Sequence, residues 1–399
     1  MTHLHVETFT SLSALESLAP EWDTLATQTA LRLPFHTPTW NLLWWKHFAQ
    51  SRMSMKDTLC LRSVRDEKGE LVAVAPMLMS SRPAEGPLRL KVLQFFGVDP
   101  YVTEIRGVVC KAGLEAEVYR AIHADLALRR EGWDWVQWAG VPQGGPGYRT
   151  LSASPNIKWA REVPDFTLSM KPTWDEFKGG LSRNIKESLR KCYNSLKRDN
   201  LVHSFRAVES AEALPAALER FFDLHNARSS LTDTVVHGNV FSQEHCKAFL
   251  RDYVNAKAGA GGAKVFQLIL KEQVVATRVG FLMGDSLYLY FSGYDPAWGQ
   301  YSVMTTTVAE AIKYAIEKGL KTVNLSAGND VSKTRWGPTE HTFREAVEVA
   351  PRLKSRVVQN AWDKLYAMRQ SPEWQKSTLG KLVGRFGRSH ELIYLEALT

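Results

Sequence analysis

The sequence predicts an α/β protein made of two similar halves and a helical tail. The order strand, helices, consecutive strands, helix, glycine, strand occurs twice along the 399 residues. Residues 132–138 (GWDWVQW) match residues 319–325 (GLKTVNL), with Val136 in register with Val323 and Gln137 with Asn324. A glycine follows each strand, Gly140 or Gly328. The stretch Tyr288–Lys333 then reads as strand, loop, helix and strand. That unit places exposed backbone N–H groups at a helix N-terminus, where anions bind.

In chain order, Leu4–Phe9 reads as a strand and Leu12–Leu25 as a helix with Leu15, Leu18 and Trp22 on its apolar face. Pro38 opens a second helix carrying Leu43, Trp44 and Phe48. Thr58–Val64 and Leu71–Met79 read as strands joined by the turn Asp66–Gly69, and Leu90–Phe96 as a third. Leu114–Arg130 is helical, Trp133–Trp138 is a strand, and Pro142–Tyr148 is a loop rich in glycine and proline.

The second half opens with a strand near Phe166–Met170 and a capping-box spacing at Thr173 and Glu176. A basic helix begins at Ser182, with Ile185, Leu189, Cys192 and Leu196 as its apolar stripe. Another helix covers about Glu212–Arg228. Strands follow over Lys264–Leu270, Val274–Met283 and Ser286–Gly293, the last two joined by Gly284-Asp285 as a hairpin. From Ser302, a plausible N-cap, Met304, Val308, Ala311, Ile312 and Ala315 mark a helix face, and Gly319 suits its C-terminus. The domains expected are 1–160, 161–350 and a tail, 351–399. The tail carries nine Lys/Arg against four Asp/Glu and reads as basic amphipathic helices. Such helices pack on a domain or touch an anionic membrane surface.

Apolar residues make up 44% of the chain, which is globular, and no run approaches the length of a spanning helix. The start, MTHLHVETF, has no basic segment followed by an apolar run, so no signal peptide is expected. Cys60, Cys110, Cys192 and Cys246 are scattered, which argues against a zinc site or a disulfide framework, and no metal is expected. A cytoplasmic location is the default, with peripheral membrane association left open. The net charge of +8 suits a phosphorylated ligand, nucleic acid or an anionic surface.

Four segments carry a resemblance to a known family: SRNIKESLRKCYNSLKRD (Ser182–Asp199), FFDLHNARSS (Phe221–Ser230), FSGYD (Phe291–Asp295) and GNDVSKTRW (Gly328–Trp336). FHTPTW (Phe35–Trp40) and VAPMLM (Val74–Met79) add to it in the first half. The chain resembles the GNAT acyltransferase superfamily in the tandem arrangement of Fem-type aminoacyl transferases, and within it the CelD/BcsL-like acetyltransferases. The resemblance implies two GNAT-like domains of mixed sheets flanked by helices, the first non-catalytic and the second the acyltransferase. It implies an acyl thioester held in a split between two central strands, with its pyrophosphate at the helix after the loop. The usual glycine-rich pattern is reduced here to Trp298–Met304 with one glycine. The donor is therefore acyl-CoA, an acyl carrier protein, or aminoacyl-tRNA as in Fem relatives.

Acyl transfer to an amine needs a base for the ammonium, a donor for the carbonyl oxygen and a proton for the departing thiolate. His225, in the matched helix segment, is the expected base; a buried structural histidine is the other reading. Arg228, one turn on, grips a phosphate or carboxylate of the substrate, or pairs with an Asp. Asp295 relays a proton or only forms a turn before Pro296. Tyr294 is a candidate to protonate the thiolate. Ser292, Gly293, Tyr301, Ser302, Val303 and Lys333 are expected to hold the donor, and Asn324 the substrate. The acceptor expected is the primary amine of an amino sugar, amino acid, peptide or long-chain lipid base. The rival readings are an aminoacyl-tRNA-dependent transferase, the one case in which nucleic acid is a partner, and a non-catalytic acyl-ligand-binding protein.

Overall fold

The structure, a computed structural model, describes residues 4–86, 89–99, 101–128, 132–231, 238–357 and 360. Nearly all of the expected tail helices lie outside them. The chain divides into two compact units. One comprises Met1–Ala30, Phe48–Val163 and Thr342–Thr399, the other Leu31–His47 and Pro164–His341. Each half of the sequence lends a piece to the other unit.

In the first unit, the expected long strands are broken. Thr58–Val64 resolves into Met55–Leu59 and Leu61–Arg65, and Leu71–Met79 into Leu71–Ala75 and Met77–Arg82. The breaks fall at Cys60 and Pro76, the latter lacking a ladder N–H. At each break the chain crosses between a small antiparallel sheet (His5–Phe9, Leu61–Arg65, Leu71–Ala75, Val109–Cys110) and a larger one. The larger one holds Met55–Leu59, Met77–Arg82, Leu90–Phe95 and Trp135–Pro142, ending on residues 343–349. Helix Glu115–Leu128 buries Val118, Tyr119, Ile122 and Leu126 in a core shared with Phe95, Trp133 and Trp138.

In the second unit the sheet order is His203–Val208, Ala263–Leu270, Gln273–Met283, Ser286–Tyr294, Thr322–Ala327 and Ile157–Ser169, the last through residues 165–169. The helices Arg183–Arg198 and Val303–Glu317 supply Ile185, Leu189, Val308 and Ile312 to one core with Phe266, Leu287 and Leu289. An aromatic cluster fixes the borrowed N-terminal segment. Phe35 and Trp40, the latter in helix Pro38–Phe48, meet Tyr288, Tyr290 and Phe281 of the sheet and Phe249 and Tyr253 of helix Glu244–Ala258. That helix and strand His203–Val208 have no counterpart in the sequence reading.

The two units share one unusual ladder. In each, a parallel strand pair interrupts antiparallel neighbours. Leu90–Phe95 pairs with Trp135–Pro142 through Val92↔Trp135 and Leu93↔Val136. Ser286–Tyr294 pairs with Thr322–Ala327 through Ser286↔Thr322, Leu287↔Val323 and Tyr288↔Asn324. Val136 and Val323, matched by sequence, hold equivalent places. In the first unit the strand Trp135–Pro142 is approached closely by its own loop. A Cβ on Gly107 would lie 2.6 Å from the Ala139 carbonyl oxygen, and one on Gly140 would strike the Arg106 carbonyl. Only glycines allow that approach.

Candidate active site

In the second unit, the parallel ladder stops while both strands continue. Beyond Tyr288↔Asn324, strand Ser286–Tyr294 keeps its antiparallel partner, with Arg278↔Ser292 and Thr277↔Gly293. Strand Thr322–Ala327 keeps the opposite neighbour, with Asp165↔Ala327. The edges Leu289–Tyr294 and Leu325–Ala327 therefore face one another across a split. Asn324 fixes the far arm: its Nδ2 donates to Asp165 Oδ2 at 2.7 Å, and its Oδ1 accepts from the Ser326 amide at 2.7 Å. Ser326 takes a left-handed φ of 73°, rare for a residue with a side chain.

Arg278 sits at the apex of the split. Its Nη2 donates to the Leu289 carbonyl at 3.0 Å on one arm and the Leu325 carbonyl at 3.4 Å on the other. The guanidinium is buried. It replaces, between the two strands, the hydrogen bonding that the ladder no longer supplies. The sequence reading missed it; the signal was a lone charged residue in the mostly apolar strand Gln273–Met283.

His225 lies on helix Leu214–Ser229, whose backbone rests directly on Gly293. A Cβ at Gly293 would stand 2.5 Å from the Leu224 carbonyl carbon and 2.8 Å from the His225 Cα. The His225 Nδ1 donates to the Ser292 carbonyl at 3.0 Å. That bond selects the tautomer in which Nε2 is the basic atom. Phe221, Phe241 and Phe291 surround the ring at centroid distances of 5.7, 5.1 and 5.6 Å. Arg228, one turn on, donates through Nη1 to the Ser292 hydroxyl at 2.8 Å, and burial lowers its pKa. Ser292 thus binds His225 through its carbonyl and Arg228 through its hydroxyl.

The remaining expected residues divide by what they bond. Asp295 Oδ1 accepts from the Ala297 amide at 3.0 Å and caps the short 3-10 helix Pro296–Tyr301, its turn-forming role. Tyr294 is half-buried and packs with Trp298, Tyr301 and Met304 on Leu268, Val275 and Val303. Tyr301 donates to Asp199 at 3.0 Å, and that carboxylate raises its pKa. Asp199, held by Arg198 and Tyr301, is pulled down to about 2. Ser302 occupies the N-cap position of helix Val303–Glu317 in a left-handed conformation (φ 51°), and its side chain makes no cap bond. Lys333 Nζ donates to the Ala327 carbonyl at the end of the far arm. Asn324 is engaged on both sides by Asp165 and Ser326.

Arg335 is a second residue the sequence reading missed, although GNDVSKTRW contains it. Its Nη2 donates to Thr305 Oγ1, in the first turn of helix Val303–Glu317, and burial lowers its pKa. It adds a half-buried cation to the positive end of a helix dipole, a setting that binds phosphate. Among the described residues no group of three or more His, Cys, Asp or Glu is placed to hold a metal ion.

The sequence over residues 183–334 matches the family described as Acetyltransferase (GNAT) domain. Over this stretch the chain is similar to a GNAT acetyltransferase domain. Among solved structures the chain is similar to FemX, at 12% identity and a TM-score of 0.57, covering 89% of this chain and 99% of that one. It is also similar to the C-terminal domain of a putative lysylphosphatidylglycerol synthetase from Agrobacterium fabrum (12%, TM-score 0.46, 87% and 96% covered). A tandem GNAT protein from the clavulanic acid biosynthesis pathway gives 11%, a TM-score of 0.44, and 88% and 99% covered. A comparison with curated proteins returned no match. The likeness to FemX extends the shared fold over most of the chain. With their matched ladders, the two units form a Fem-like tandem of GNAT folds. The second unit thus has a GNAT-type acyltransferase fold, and no helix among the described residues is long and apolar enough to cross a membrane.

Proposed function

We propose that the second unit transfers an acyl group from a thioester, acyl-CoA in the first instance, to a primary amine. The observation that carries this reading is the split beside Tyr288↔Asn324 with His225 hydrogen-bonded to its near arm at Ser292. The edge Leu289–Tyr294, beyond the end of the parallel ladder, offers backbone groups to an extended amide-bearing chain such as the donor's pantetheine arm. The first turn of helix Val303–Glu317 with Arg335 suits the donor's phosphates. Lys333 stands at the end of the far arm.

Transfer then needs one proton off the amine and one onto the leaving sulfur. His225 Nε2 takes the proton from the incoming ammonium, and the neutral amine attacks the thioester carbonyl. The C–N bond forms, the C–S bond breaks, and Tyr294, the residue at the end of the strand, gives the thiolate its proton. Donors near Ser292 and Gly293, with the Arg278 guanidinium, stabilise the oxygen that gains charge. The products are an amide and a free thiol.

A second reading has its own observation. Helix Arg183–Arg198 exposes Arg183, Arg190, Lys191, Lys197 and Arg198. Such a face suits the phosphates of an aminoacyl-tRNA or an acidic carrier protein as donor. Purified protein assayed for thiol release from short- and long-chain acyl-CoA, against amino sugars, amino acids, peptides and long-chain bases, tests the first reading. Amine-dependent thiol release supports it. Transfer only from aminoacyl-tRNA, abolished by RNase, replaces it with the second. Donor binding without turnover by any amine points to a binding protein.

A further inference from the structure

Outside the split, the second unit holds a pocket of about 550 Å³ between strand His203–Val208 and the start of helix Leu214–Ser229. Its polar walls are Arg206, Arg220 and Gln267, and its apolar lining includes Ala213, Ala216 and Ala217. Both guanidiniums are held in place. Arg206 Nε donates to Gln267 Oε1 at 2.8 Å, and Gln267 is 2% exposed. Arg220 donates through Nε and Nη2 to the Val274 carbonyl at 3.2 and 2.7 Å. A guanidinium has five N–H groups, so each arginine keeps donors beyond these bonds. Among the described residues the one carboxylate lining the pocket, Glu209, is paired with Lys264 and accepts from Tyr314 at 3.3 Å. The local balance is therefore positive.

The sheet continues this polarity inward. Arg206, Gln267, Thr277 and Gly293 are direct neighbours across four strands and so share one face, the one that helix Leu214–Ser229 covers at Gly293. A row of polar residues beneath a helix departs from the apolar face usual there. Thr277 is fully buried and its hydroxyl has no hydrogen-bond partner among the described residues. Small alanines keep the space open where larger side chains would close it.

We propose that this pocket is a second ligand site, separate from the split, for a small molecule bearing a carboxylate or phosphate group. The two arginines grip the anion from opposite walls, as paired guanidiniums do. The alanines accept the apolar remainder. Arg220 and His225 lie on the same helix, so an occupant borders the element that positions the expected base.

The test uses the full chain with alanine methyl groups isotopically labelled for NMR, titrated with inorganic phosphate and, separately, with acetate. The proposal expects saturable shifts of the Ala213, Ala216 and Ala217 methyls, and the effective probe identifies the class of anion. The Ala297 methyl, in the short 3-10 helix Pro296–Tyr301 at the donor end, reports phosphate binding there independently. Arg206→Gln, at an exposed position, should weaken the pocket response about tenfold or more, as loss of a charge-assisted bond does. Ala216→Phe should abolish it while leaving both arginines intact. No saturable shift at these methyls with either anion overturns the proposal. So does a response that survives both variants in folded protein. Neither outcome depends on acyl transfer, so this site and the proposed activity fail separately.

Discussion

Gly293 and His225 touch through their main chains: the helix backbone at Leu224–His225 occupies the space where a Gly293 side chain would begin. The contact fixes how far the expected base stands from the arm of the split. Gly293→Ala should push the helix outward, with a cost of about 1–3 kcal/mol from overpacking. Urea unfolding monitored by tryptophan fluorescence measures it. An unchanged midpoint would show that the helix yields freely.

His225→Ala should cut acyl transfer by roughly two to four orders of magnitude, the usual weight of a positioned base. Donor binding should survive, since its phosphates are assigned to the Val303 helix end and Arg335. The deficit should shrink at high pH, where the amine is already deprotonated. A stable variant with normal turnover excludes His225 as the base.

Arg278→Met keeps bulk but removes the donor to Leu289 and Leu325. Hydrogen bonds from charged groups contribute about 1.5–3 kcal/mol. We expect kcat/KM for the donor to fall at least about tenfold with secondary structure intact. Arg278→Lys should recover part of it. Equal kcat/KM in folded Arg278→Met protein would remove the guanidinium from the reaction.

His36, in the short 3-10 helix Pro34–His36, gives a pH prediction. Burial holds its ring at about 4, below the ordinary 6.5, although a bond to the Leu31 backbone opposes this. Above about pH 6.5 the ring is neutral folded or unfolded, and no stability depends on it. As pH falls from there toward 4, the unfolded chain takes up a proton that the folded ring resists, so stability is lost. The loss reaches about 3 kcal/mol at most. Denaturation midpoints between pH 7 and 4 should fall less steeply in His36→Gln, and parallel profiles would contradict the assignment.

The first unit repeats the short parallel ladder, but Arg106–Gly107 lies against Ala139–Gly140 there. Calorimetry should therefore find one thioester donor bound per chain. Two equivalents would mean that the first unit also opens.

Much of the fold was legible because it is written in local periodicity. The match of Val136 with Val323 in sequence corresponds to equivalent ladder positions in both units. The borrowed segment at Phe35 and Trp40 was not legible, because its partners Tyr288, Tyr290 and Tyr253 lie over 200 residues away and sequence pattern carries no pairing information. The site was partly legible. His225, Arg228 and Ser292 do converge, whereas Asn324 and Asp295 bond within the scaffold. Arg278 and Arg335 matter through what they bridge, and a bridge has no signature along the chain.

The exchanged strands carry a consequence for how this protein can be divided. Residues 165–169 complete the second sheet at Thr322–Ala327, while residues 343–349 return to complete the first at Trp135–Pro142. A cut near residue 200 therefore does not yield two autonomous domains. The N-terminal fragment would bare the edge of Trp135–Pro142, a template for aggregation, and the C-terminal fragment would carry an orphaned strand and lack the Trp40 plug. The duplicated fold is stitched into a single heritable unit, in which neither copy can be lost or transplanted without the other.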